Sequence, residues 1–133
     1  MLLFQKIIRD KKLFDFFTKG AKLKLGEEKR SPRADDFPTY ELLEKITILD
    51  IRDEDEVEEY GKMPNSVHVP YDEYFRSKLL MLDKSKKYGL MDLRGVNIKQ
   101  ALEIAKEAGL DVVELRGGFF YLSEVMNVKP IRN

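Results

Sequence analysis

The chain has 133 residues, with 24 basic and 24 acidic side chains and no formal net charge, which fits one domain plus an extension. It contains no cysteine, which excludes disulfides, thiolate metal sites and every cysteine-nucleophile mechanism, and its single histidine excludes a multi-histidine metal centre. Hydrophobic residues make up 43%, enough for one core, yet the longest apolar runs fall far short of the roughly eighteen residues of a membrane span.

Residues 1–19 predict a helix. Their apolar side chains cluster at 2–4, 7–8, 13–14 and 16–17 and cover one broad side, although Lys6 and Asp10 intrude. Charges interrupt this stretch every few residues, and it lacks the apolar h-region and small-residue cleavage site of a secretory signal. An intracellular, cytoplasmic protein is therefore expected. Gly20 is a natural stop, and 21–36, polar and carrying Gly26 and Pro32, read as a linker. Residues 1–33 hold ten basic and four acidic side chains, a charge of +6, so the remainder carries −6. A basic N-terminal extension and linker over 1–35 is expected ahead of a folded, acidic domain over 36–133.

Within the domain the signals sharpen. Thr39 is a cap candidate for a short helix through about Lys45. "TILDI" (47–51), rich in β-branched residues, predicts a buried strand. "DEDEVEEY" (53–60) crowds acids at a helix N-terminus, where the macrodipole favours them, and Gly61 ends it. "SVHV" (66–69) predicts a second strand between Pro64 and Pro70, and a helix is expected over roughly 71–80. "YGLM" (88–91) predicts a third strand. The clearest helix covers 96–108, with Ile98, Ala101, Leu102, Ala105 and Ala108 on one face and Gly109 at its C-terminal stop. "DVVEL" (111–115) predicts a fourth strand, and Gly117-Gly118 leads into a last helix near 119–126. Strands alternating with helices imply an α/β fold, a parallel sheet covered on both faces. The 36% charged content, with only Gln5 and Gln100 as glutamines, resembles the bias of thermophile proteins.

Four stretches in this order resemble the rhodanese-like domain family over about a hundred residues. "LDIR" (49–52) is similar to the family's strand ending in Asp-x-Arg. "GKMPNSVHVP" (61–70) resembles its proline segment, and "AKEAGLDVVELRGG" (105–118) its helix–strand–Gly-Gly ending. Between them lies the counterpart of the active-site loop: Asp92, Leu93, Arg94, Gly95, Val96 and Asn97. The resemblance implies a central parallel sheet of four or five strands. In active members the first loop residue is a cysteine that carries sulfur as a persulfide; here it is Asp92. Asn97 replaces an arginine often found near the loop's end, although Arg94 lies inside it. Lys62 and Asn65 replace the usual His and Gly of the proline segment.

A carboxylate cannot bond sulfur reversibly as a thiolate does, and no other cysteine is present to substitute. Sulfurtransferase and cysteine-phosphatase chemistry are both rejected, and no catalytic residue, metal or cofactor is expected. The favoured role for Asp92 is to cap its loop and the following helix by filling the backbone N–H cradle. The alternative is an aspartyl nucleophile in a metal-assisted phosphohydrolase that pairs Asp92 with Asp50. Asp50 and Arg52 more plausibly tie strand ends to loops. His68 reads as structural, and Gly117-Gly118 as a turn needing positive φ. The expected function is that of a catalytically inactive binding or regulatory module. Its partner is a protein or a small ligand, and the N-terminal extension is expected to dock onto its own domain or to drive self-association with a second copy of the chain. The acidic domain opposes nucleic acid, and charges scattered round residues 1–19 disfavour a membrane surface.

Overall fold

A computed structural model describes residues 37–96 and 98–132. The helix predicted over 1–19, the linker after it and Asn97 lie outside the described residues. The elements run α1 (Tyr40–Lys45), β1 (Thr47–Asp50), α2 (Glu54–Tyr60), β2 (Ser66–His68), α3 (Phe75–Leu79), β3 (Lys87–Met91), α4 (Lys99–Glu107), β4 (Asp111–Glu114) and α5 (Gly118–Phe120). The last continues directly into a π-helical turn over Tyr121–Val125.

Local chemistry explains most boundaries. Thr39 Oγ1 accepts the Leu42 N–H at 3.1 Å and starts α1. At α2 the Asp53 side chain accepts from the Glu56 N–H while the Glu56 side chain accepts from the Asp53 N–H, so two otherwise orphaned donors are satisfied reciprocally. Three elements depart from the sequence reading. The helix expected over 71–80 begins only at Phe75, because Asp72 Oδ1 accepts the Tyr74 N–H at 2.9 Å and holds the chain in a turn. The helix expected over 96–108 begins at Lys99, because Gly95 adopts φ +78° and the loop extends further. The last helix widens after Phe120, where the Met126 N–H reaches back five residues to the Tyr121 carbonyl.

The four strands are all parallel, in the order β2-β1-β3-β4. Alternate side chains of each strand face opposite sides, and both sides are covered. On one side Leu49, Leu90 and Val112 pack with Phe75 and Leu79 of α3 and Ala101 and Ala105 of α4. On the other, Ile48, Met91 and Leu115 pack with Phe119, Leu122 and Met126, flanked by Leu42, Leu43 and Tyr60. Each large apolar side chain buried this way contributes about 1.5–3 kcal/mol. The tail returns to the domain as well: Lys62 and Ile131 exchange backbone hydrogen bonds of 2.9 and 2.7 Å in an antiparallel bridge.

The chain goes from β1 outward to β2, then crosses back to β3 on the other side of β1. The strand order therefore reverses between β1 and β3. In open α/β sheets the crevice beyond the carboxyl ends of two such strands is the usual ligand site. Asp50 ends β1 there, and Asp92 follows directly on Met91 of β3.

Candidate functional site

The loop after β3 is organised by its own first side chain. Asp92 Oδ1 accepts the Gly95 N–H at 2.6 Å, and Oδ2 accepts the Val96 N–H at 3.2 Å. Two backbone donors of the loop are thus held by a carboxylate of the same loop. The expected cap of α4 needs correction. The residue before that helix, Ile98, lies in helical conformation and makes no side-chain cap, and the Asp92 carboxylate bonds the loop amides ahead of the helix rather than its first turn. Arg94 and Val96 face solvent, Leu93 and Gly95 are half-buried, and the Arg94 guanidinium stands 5.6 Å from the Phe120 ring centre.

The outer wall of the loop is Gly117-Gly118 and the start of α5. The Phe119 N–H donates to the Asp92 carbonyl at 2.8 Å, and the Phe120 N–H to that of Leu93 at 3.2 Å. Gly117 and Gly118 hold φ of +88° and +65°. They also make room: a Cβ on Gly118 would sit 2.7 Å from the Asp92 carbonyl oxygen and 2.8 Å from the nitrogens of Arg94 and Gly95. The glycine pair therefore supplies both a positive-φ turn and a contact that only glycine allows. The amides of Phe119 and Phe120 were not singled out in the sequence, although a Gly-Gly followed by two aromatics was a signal of close backbone approach.

Asp50 and Arg52 form a buried unit behind the loop, 0% and 1% exposed. Arg52 Nε donates to Asp50 Oδ1 at 2.9 Å, while Nη2 donates to Asp50 Oδ2 at 2.7 Å and to the Gly61 carbonyl at 2.8 Å. The guanidinium lies against the face of Phe119, and its Nη1 has no hydrogen-bond acceptor among the described residues. His68 Nε2 pairs with the Arg52 carbonyl at 2.7 Å, on the edge strand of the sheet. Both Asp50 oxygens are thus held by Arg52 away from solvent, and both Asp92 oxygens are held by backbone donors. Among the described residues no cluster of three or more His, Asp or Glu side chains is arranged to hold a metal ion. No helix among them is long and apolar enough to cross a membrane.

A rhodanese-like domain family model matches residues 39–124. Among solved structures, the chain is similar to a rhodanese-related protein from Thermoplasma volcanium. The two are 31% identical over 76% of this chain and 95% of that one, with a TM-score of 0.58. It is also similar to a rhodanese-like domain protein from Staphylococcus aureus, 25% identical over 60% of this chain and 74% of that one, with a TM-score of 0.51. The rhodanese-like domain of an Anabaena protein, 22% identical over 69% of this chain and 97% of that one at a TM-score of 0.55, shares the fold. No curated protein matches the chain.

Proposed function

The chain belongs to the rhodanese-like domain family, and from that premise we propose that it works as a non-catalytic member, a binding module that presents its loop to a partner protein. The observation that carries this reading is the Asp92 carboxylate bonded to the Gly95 and Val96 amides. A built-in anion takes the donors that an external anion would need. Sulfane sulfur transfer requires an atom that bonds sulfur reversibly, and this cysteine-free chain offers none. No observation favours the phosphohydrolase alternative: Asp50 is committed to Arg52 in the interior. The part of the loop left to solvent, Arg94 and Val96, offers one cation and one apolar side chain, the kind of pairing that protein interfaces use.

Two measurements test this. The purified full chain should transfer no sulfur from thiosulfate to cyanide. Immobilised full chain should retain a protein from native lysate, and the Arg94→Glu/Val96→Asp variant should lose it. Sulfur turnover that disappears in Asp92→Ala, or capture that ignores the loop variant, overturns the proposal.

A further inference from the structure

Two side chains with apolar surface stand in water, one within the Asp92 loop and one next to it. Val96 is 75% exposed and Tyr71 41%. Both line an open cleft of about 740 Å³. Tyr71 also borders a second cleft, of about 380 Å³, lined by Pro70 and the acidic Asp53, Glu54, Glu56 and Asp72. Tyr71 lines both clefts, so the two adjoin, and most of the acidic side chains line the second. Lys99 stands at the rim next to Val96. An occupant fitted to these clefts carries apolar side chains interleaved with positive charge.

The chain itself contains such a segment. Residues 1–19 hold nine large apolar side chains among five basic and two acidic ones. So many apolar groups need cover, and the domain carries the opposite charge. Reach is sufficient as well. The 16 residues of 21–36 span up to about 53–58 Å when extended, against a radius of gyration of about 13 Å for a domain of some hundred residues. A tether of this kind gives an effective concentration in the millimolar range, which favours the segment's own domain over any second molecule.

We propose that residues 1–19 dock in cis across the two adjoining clefts lined by Pro70, Tyr71 and Val96, next to the Asp92 loop. This docking does not rest on the binding reading above.

The absence of cysteine makes the test clean. Val96→Cys installs the chain's only thiol at an exposed position. In the full chain at low salt its maleimide labelling should be slow. It should accelerate several-fold at about 1 M salt, where the Debye length falls to about 3 Å, and equally in a background carrying Arg9→Glu, Lys11→Glu and Lys12→Glu. A control thiol from Lys129→Cys should label at one rate throughout. Shielding should be independent of protein concentration, with a monomer by light scattering. Labelling of Val96→Cys that is fast and insensitive to salt and charge reversal overturns docking. Shielding that grows with concentration alongside a dimer overturns the cis arrangement in favour of a second copy. Shielding without any loop-dependent partner sinks the binding reading alone, and loop-dependent capture without shielding sinks the docking alone.

Discussion

The guanidinium carbon of Arg52 lies 4.2 Å from the centre of the Phe119 ring, and the backbone N–H of Phe119 holds the carbonyl of Asp92. One buried contact therefore links the end of β1 to the loop after β3. The ion pair that orients Arg52 lies two residues away on the same strand end, and nothing of it reaches solvent.

Removing either member of that pair leaves an uncompensated charge in the interior. Asp50→Ala and Arg52→Ala should each destabilise the fold by about 3–5 kcal/mol. The double variant Asp50→Ala/Arg52→Ala should cost much less than the sum of the two. Urea unfolding of the four proteins closes the cycle, and additive losses would refute the coupling.

Gly118→Ala should be among the most damaging single-atom changes. The added Cβ meets backbone atoms of the loop at 2.7–2.8 Å, and none of them is the end of a flexible side chain. Overpacking of this kind costs about 1–3 kcal/mol, and the left-handed backbone adds about 1–2 kcal/mol. Gly109→Ala is the matched control. Its φ is +90°, but the nearest neighbours are atoms of the Lys84 side chain at 3.6 Å or more, so only the backbone penalty remains. Thermal melts of the two variants should separate clearly, with Gly118→Ala the lower.

Asp92→Ala frees the amides of Gly95 and Val96. The loop should lose the roughly 0.5–2 kcal/mol typical of a capping side chain and gain affinity for sulfate or phosphate. Titration calorimetry should find anion binding in the variant and none in the wild type. Equal binding in both would show that the carboxylate does not occupy the cradle.

Alkaline pH should weaken the fold through its tyrosines. Burial holds the phenol of Tyr88 above its ordinary value of 10.0. Burial does the same for Tyr121, aided by the nearby Tyr40, and for Tyr40 itself. A folded value above the unfolded one means stability is complete below pH 10.0 and lost as pH rises through the higher folded values. Urea midpoints should be insensitive to these groups near neutrality and fall above pH 10. Tyr88→Phe should flatten part of that fall, and a fall that is unchanged would remove Tyr88 from the account.

The parts of this fold legible in the sequence are those that depend on near neighbours. The acidic run from Asp53 marks the start of α2 because the helix dipole acts on the side chains of its own first turn. The alternation of apolar strands with helices fixes the parallel sheet for the same local reason. Asp72 was read as part of a helix, although an aspartate two residues before an available N–H competes with helical bonding. Asp92 was expected to serve α4, but the intervening Gly95 lets the loop close on itself before the helix begins. The stacking of Arg52 on Phe119 and the pairing of Lys62 with Ile131 join residues more than sixty positions apart. No local pattern encodes such contacts. The same holds for the amides of Phe119 and Phe120 in the loop wall: the Gly-Gly pair marked the turn, but not what would lie against it.

The mutual fit of Gly95 and Gly118 has a practical consequence for engineering. A Cβ on Gly95 would strike the backbone of Gly117 at 2.6 Å, and one on Gly118 would strike the loop in return. The two segments are cut to each other like the halves of a clasp. Installing a working thiol centre on this scaffold thus calls for transplanting residues 92–97 together with 117–120 from one donor; a graft of the loop alone would arrive without the surface that shapes it.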